Sequence, residues 1–388
     1  MKLAYILFYF YILIFSFSCS YQRETNNTMS IVATNEMLTF QLDKNTQNWI
    51  QSLFLFKDIG GKEYLTFQNE GQNELLIYNL ISQKMESKII PSIDGNEGVG
   101  LFLGYYIHNL DSIFLTVTGI PEISIINKEA HVIDKLSYEI ATDSTLLKQI
   151  YSTSNIYQPL YIIDNKLYFV PGCNRWGKKN PMCAYIDLAT RKTHTLPLPY
   201  PKFPGADNKA KRAGVEEYLS RCYNGKEFIY SFYFEEDIYI ASLDHKQIER
   251  KKIKSRYIKN IKTPNDYNQG LDLQTGFRES CERSNYGNLL YDKYRDVYYR
   301  IAFPQTEIED KKINTMELMR YGRKVFSIII LDNQFNIIGE TLFPEYTYNS
   351  NLIFIREDGI YISNSHFMNP TFNDDVLSFH KFELKQEN

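Results

Sequence analysis

A strand unit recurs along this chain, and it limits the fold more than any other feature. Each copy opens on an Asn, Asp or Gly turn and a short aliphatic-aromatic strand. An alternating strand ending in Asn or Asp follows, then a more polar one. The copies begin at Glu63–Phe67, Asp111–Leu115, Asn165–Val170, Gly225–Tyr230, Asp296–Ile301 and Ile353–Ile355. Their second strands are Leu75–Asn79, Ile123–Asn127, Ala184–Asp187, Ile238–Asp244, Phe326–Asp332 and Gly359–Ser363. The period is roughly 50 residues. One such unit cannot bury both its faces, and radial repetition solves this while protecting strand edges. The expectation is an all-β, six-bladed β-propeller-like fold. Ser30–Leu42, ahead of the first copy, can supply an outer strand that closes the ring against the last blade. A β-sandwich pair is the alternative. With 31 Tyr and 25 Phe against 2 Trp, the composition favours strands.

Two stretches depart from the repeat. Thr306–Lys324 is a charged insertion in the fifth blade, with Ile308, Ile313, Met316 and Met319 at loosely helical spacing, and predicts a short surface helix or a loop. Leu196–Gly214 carries Pro197, Pro199, Pro201 and Pro204, then Lys209, Lys211 and Arg212, and reads as an extended connection.

The N-terminus addresses the chain. Lys2 precedes an apolar run from Leu3 to Phe17, shorter than the about 20 residues a spanning helix needs, and Ser18-Cys19 then opens polar sequence. This reads as a lipoprotein signal peptide over residues 1–18, with Cys19 lipidated, residues 19–29 a tether and residues 30–388 a single propeller domain. Ser16 and Phe17 depart from the usual lipobox; an ordinary secretory signal or an uncleaved anchor are the alternatives. Ser20, rather than an acid, directs the lipoprotein of a Gram-negative bacterium to the outer membrane. No acidic run follows, so the periplasmic face is favoured over the cell surface. With 43 Lys+Arg, 46 Asp+Glu and a net charge of −3, no nucleic-acid partner is implied.

Candidate chemistry is sparse. Cys173 and Cys183 bracket a Gly, Asn and Pro turn, so a hairpin disulfide is expected there, with buried free thiols as the alternative. The spacings of a zinc site are missing. Cys222 and Cys281 pair only if their blades adjoin. The six histidines are scattered, neither HExxH nor GxSxG occurs, and no cofactor or metal is implied. Asp111, Asp164, Asp187, Asp244 and Asp332 sit where Asp caps turns. Asp111-Ser112-Ile113 and Asp143-Ser144-Thr145 are similar to a short bacterial O-glycosylation signal. A ligand site is best marked by Arg175, Trp176, Arg278, Arg283, Arg295 and Arg300, since Arg recognises carboxylate or phosphate and Trp stacks on rings. For Arg295 and Arg300 the competing role is pairing with carboxylates on the neighbouring blade.

Gly95–Gly100 reads as a tight loop, with an anion nest of exposed amides as the alternative. Together with His108–Leu115, Tyr286–Arg300 and the lipoprotein start, it resembles the domain of unknown function 4221 family, bacterial lipoproteins akin to six-bladed propellers. The resemblance implies a propeller over nearly the whole mature chain and brings no activity or catalytic residues. The resulting expectation is an exported binding or assembly module at the outer membrane. It is membrane-bound through its lipid and meets a protein or glycan partner. A propeller glycoside hydrolase or lyase, and a sensory or signalling lipoprotein, are the alternatives.

Overall fold

Aromatic and β-branched runs punctuated by Asn, Asp and Gly fold here as antiparallel four-strand meanders. The structure, a computed structural model, describes residues 28–50, 52–117, 119–147, 154–171, 181–198, 218–261 and 273–387. The signal segment, Cys19 and the 19–27 stretch lie outside them.

Four sheets stand separately. The first holds β2 (Leu53–Lys57), β3 (Glu63–Asn69), β4 (Glu74–Asn79) and β5 (Met85–Ile89). The second holds β6 (Phe102–Asn109), β7 (Ser112–Val117), β8 (Glu122–Ile126) and β9 (Val132–Ser137). The third holds β10 (Tyr161–Ile163), β11 (Lys166–Phe169), β12 (Ala184–Asp187) and β13 (Lys192–Thr195). The fourth holds β14 (Leu219–Tyr223), β15 (Phe228–Phe232), β16 (Asp237–Ala241) and β17 (Ile248–Lys252). A fifth unit runs through β18 (Asn285–Asp292), β19 (Val297–Phe303), β20 (Ser327–Leu331) and β21 (Ile337–Leu342). A sixth is made of β22 (Asn349–Arg356), β23 (Gly359–Ser363), β24 (Val376–Gln386) and β1 (Met29–Gln41).

A six-bladed arrangement was expected, and that is corrected: four four-stranded sheets stand separately, and the fifth and sixth units share one eight-stranded sheet, joined where β1 runs parallel to β21 at Met29 and Gly339. The physical cause is a missing side chain. A Cβ on Gly339 would lie 1.9 Å from the Met29 carbonyl oxygen, so only glycine lets the two outer strands meet. The strand before the first copy behaves as its position predicts, with β1 pairing antiparallel to β24 from Met29–Gln386 to Gln41–Val376.

Apolar side chains pack between successive units. Phe56, Leu75 and Ile77 meet Phe102, Ile113 and Leu115 between the first and second. Phe114 and Ile123 meet Leu167 and Phe169. Tyr168 and Cys183 meet Leu219 and Phe228, and Ile229 and Ile238 meet Tyr298 and Ile329. Ile328 and Ile330 meet Ile31 and Ile360, and Phe40, Phe354 and Phe379 meet Leu53, Leu65 and Phe67 of the first unit. That last contact closes the circle, giving the propeller-like arrangement.

The meander order separates two faces. Turns between first and second, and third and fourth, strands fall on one side and are short, from 110–111 to 242–247. Connections between second and third strands, and between units, fall on the other and include 138–160, 170–183, 196–218, 253–284 and 304–326. Met29 and Gln386 pair on the short-turn side, where the chain enters. The long connections carry α1 (Leu273–Glu282) and α2 (Thr315–Tyr321), the latter realising the helix expected in the charged insertion. Asn314 caps α2 by accepting from the Met316 N–H, and Leu318 is buried while Met316 and Met319 are exposed.

Gly339→Ala is expected to force β1 off β21 and destabilise the fold by about 2 kcal/mol, as overpacking at a rigid backbone contact does. Urea denaturation beside the parent checks it; an unchanged midpoint removes Gly339 as the hinge of the eight-stranded sheet.

Candidate functional site

Of the expected site arginines, Arg278, Arg295 and Arg300 are bonded into the scaffold. Arg300, on β19, is fully buried and uses every guanidinium N–H. Its Nε donates to Ser231 Oγ at 2.9 Å. Nη1 donates to Glu236 O at 2.7 Å and Ile253 O at 2.8 Å, and Nη2 to Glu235 O at 2.6 Å and Phe232 O at 3.4 Å. All these acceptors belong to the fourth unit or its exit. The guanidinium also lies 3.6 Å from the Tyr286 ring centroid, and burial draws it down to about 10. The pairing across blades anticipated for Arg300 is made with carbonyls, because a turn packed against the next unit leaves main-chain acceptors that only a long multivalent donor can reach.

Arg295 caps its own hairpin through Asp292 at 2.8 Å and donates to Arg356 O at 3.2 Å and Glu357 O at 2.9 Å in the sixth unit. Arg278, on α1, donates to Ile308 O, Asp310 O and Lys311 O and so fixes the insertion. Arg283 stacks 5.9 Å from the Phe234 ring on the long-connection face. Arg175 and Trp176 fall in the connection between β11 and β12, outside the described residues.

The disulfide expected between Cys173 and Cys183 is also corrected. Cys183 is a free, fully buried thiol, and its sulfur accepts from Arg221 Nη1 at 3.0 Å; Cys173 lies outside the described residues. Cys222 and Cys281 are free and buried too. In Gly95–Gly100 the Gly98, Val99 and Gly100 amides donate to Gly95 O, Ser92 O and Ile93 O. Those three amides are committed to the loop. Among the described residues no group of three or more His, Cys, Asp or Glu is placed to hold a metal.

What the sequence did not announce lies on the axis. Ser154–Leu160 crosses the ring: Ser154 O accepts from Tyr105 N at 3.1 Å and Ser52 Oγ at 3.3 Å, linking the second and first units. Ile156 packs with Phe40, Leu53 and Leu352, and Tyr157 O accepts from Arg221 N of the fourth unit. A segment that touches units on opposite sides of a ring can only lie at its centre. Gly104 makes room for it, since a Cβ there would sit 2.2 Å from Ser154 O, and its φ is +125°.

From this plug a polar and aromatic network spreads over the long-connection face. Tyr157 Oη donates to Asn351 Oδ1 at 3.0 Å, and Asn351 Nδ2 to Met319 O at 3.1 Å. Arg320, next on α2, lies 4.6 Å from the ring of half-buried Trp49, and Tyr157 meets Tyr233 edge-on at 6.4 Å. Tyr233 tilts against the exposed Tyr218 at 6.1 Å. Trp49, Tyr157, Tyr218, Tyr233 and Arg320 thus form the candidate site. The signal available for it was topological: each sits in a connection between units or between second and third strands.

These features define a propeller-like chain with buried arginines at two of its inter-unit seams. The domain of unknown function DUF4221 family model matches residues 28–342, and the chain belongs to that family. It is similar to the crystal structure of a DUF4221 member from Bacteroides vulgatus, with 25% identity, a TM-score of 0.78, and 93% of this chain and 100% of that one covered. A putative exported protein from Bacteroides fragilis is similar in fold, at 10% identity and a TM-score of 0.51, with 94% and 97% covered. No curated protein matches the chain.

Arg300→Ala is expected to cost about 3 kcal/mol or more by stranding buried acceptors, and Arg300→Lys to recover little because one ammonium cannot span them. Arg191→Ala, which removes an exposed pair with Asp134, should cost under about 1 kcal/mol. Chemical denaturation of the three variants checks this; equal losses for Arg300→Ala and Arg191→Ala overturn the seam role.

Proposed function

We propose that this protein is a six-bladed β-propeller lipoprotein that acts as a binding or assembly module, held at the outer membrane by lipid on Cys19. The six-blade reading counts the eight-stranded sheet as two blades joined edge to edge, and the apolar packing between its two halves supports it. One observation carries the binding role: Ser154–Leu160 fills the axis, which turns recognition toward a face. That face is the long-connection one, bearing Trp49, Tyr157, Tyr218, Tyr233 and Arg320. Met29 lies on the opposite, short-turn side, which suits a lipid on Cys19 that leaves this face away from the bilayer. Half-exposed aromatic rings beside a guanidinium suit a glycan or a protein side-chain partner.

A thermal-shift screen of the chain from Ser20 onward, against glycans, cell-wall fragments and organic acids, tests the site. A saturating ligand raises the melting temperature by linkage. The expected result is a shift lost in Trp49→Ala or Tyr218→Ala and kept in Arg191→Ala on the short-turn face. A shift indifferent to Trp49 and Tyr218 moves recognition elsewhere. Labelled palmitate incorporated by the full chain, and lost in Cys19→Ala, tests the anchor.

A further inference from the structure

The seam between the third and fourth units holds a charge problem. Arg221, on β14, is fully buried. Its bonds run to Pro159 O at 3.0 Å, Tyr168 O at 3.1 Å and Cys183 Sγ at 3.0 Å. Its other close neighbours are the ring faces of Phe228 at 5.2 Å and Tyr161 at 5.7 Å. No carboxylate of the described residues stands within ion-pair distance of it. A guanidinium does not give up its proton in a protein, and a buried cation without a counter-charge is costly. Carbonyl dipoles lessen that cost; only an anion removes it.

The ionisable groups around the sulfur narrow the choice. Tyr161 on β10, Tyr168 on β11 and Tyr230 on β15 are phenols that burial pushes up, so they stay neutral. Tyr185 lies on β12 beside Tyr168. His245, in the turn after β16, faces Tyr230 with Nε2 at 2.5 Å from its Oη. Its Nδ1 lies 3.2 Å from Leu243 O, which makes Nδ1 the donor there and leaves Nε2 to accept. The remaining acid is the Cys183 thiol. Burial alone would push it up, but the Arg221 guanidinium outweighs burial and brings it well below the ordinary thiol value. Cys222 and Cys281 are pushed up by burial.

We propose that Cys183 is a buried thiolate forming an ion pair with Arg221, and that this pair is an acid-sensitive latch between the third and fourth units. The sign follows from linkage. The folded thiol is the stronger acid, so the latch is complete above the unfolded thiol value, about 8.5, and is lost as pH falls through the folded value.

Ultraviolet absorption, which thiolates have and thiols lack, reads the group directly. The mature chain carrying Cys173→Ser is titrated downward from about pH 8.5, where the other buried thiols are still protonated. The expected result is the loss of one thiolate per molecule, with a midpoint at least about one unit, roughly tenfold in acidity, below that of the unfolded chain. The melting temperature should fall over the same interval. Both changes should vanish in Cys183→Ser and persist in His245→Gln, which separates the sulfur from the imidazole. Arg221→Lys should move the midpoint upward. Should these variants fail to fold, the cysteine Cβ carbon shift in the Cys173→Ser protein follows the same titration by NMR. A thiolate that appears only near the unfolded midpoint overturns the ion pair. A thiolate signal with a flat melting temperature overturns the latch.

Discussion

Buried main-chain carbonyls at the seams set the terms for this fold. A twisted four-strand unit packs its neighbour well through aliphatic and aromatic side chains, but its long-face turns point acceptors into the same space, where water does not reach. Arg300 meets this between the fourth and fifth units, and Arg221 between the third and fourth. Elsewhere cheaper groups suffice. Gln68 Nε2 reaches Phe102 O at 2.6 Å between the first and second units. The demand is the same at each junction, and its depth decides whether an amide or a fully extended guanidinium answers it.

The two faces divide the labour. Short Asx turns, such as Asn79 accepting from Ile81 N and Ser82 N, hold the entry side rigid with little exposed chain. The opposite side collects both helices, the axial plug and the aromatic network. Connections on that side can lengthen without disturbing strand register.

Much of the fold was legible in the chain, and the illegible part has a common cause. Second and third strands such as Glu63–Asn69 and Ala184–Asp187 alternate and end in turn residues, so they stand out. First strands did not: β10 is Tyr161–Ile163 alone, and Ser220 and Asn288 break the apolar pattern of β14 and β18 near the axis. For the arginines the residue type was informative and the setting misread. Arg300 between Tyr299 and Ile301, inside a strand, signals burial and not display. Cys183 was assigned to Cys173, its neighbour in sequence, whereas its partner Arg221 belongs to the next unit, a proximity only the ring creates. The aromatic network is illegible for the same reason, since Trp49 and Arg320 meet only once the first and fifth units share an axis.

The pairing of β1 with β24 also has a consequence in time. Among the described strands, the thirteen residues Met29–Gln41 are the first to be made, yet their partner, Val376–Gln386, is the last. Until then the earliest strand has an unpaired edge and the circle stays open. Closure therefore waits for Val376–Gln386 to be made, a long-range contact of the kind that slows folding. A chain that stops before β24 leaves the edge of β1 exposed, an edge open to pairing with another chain.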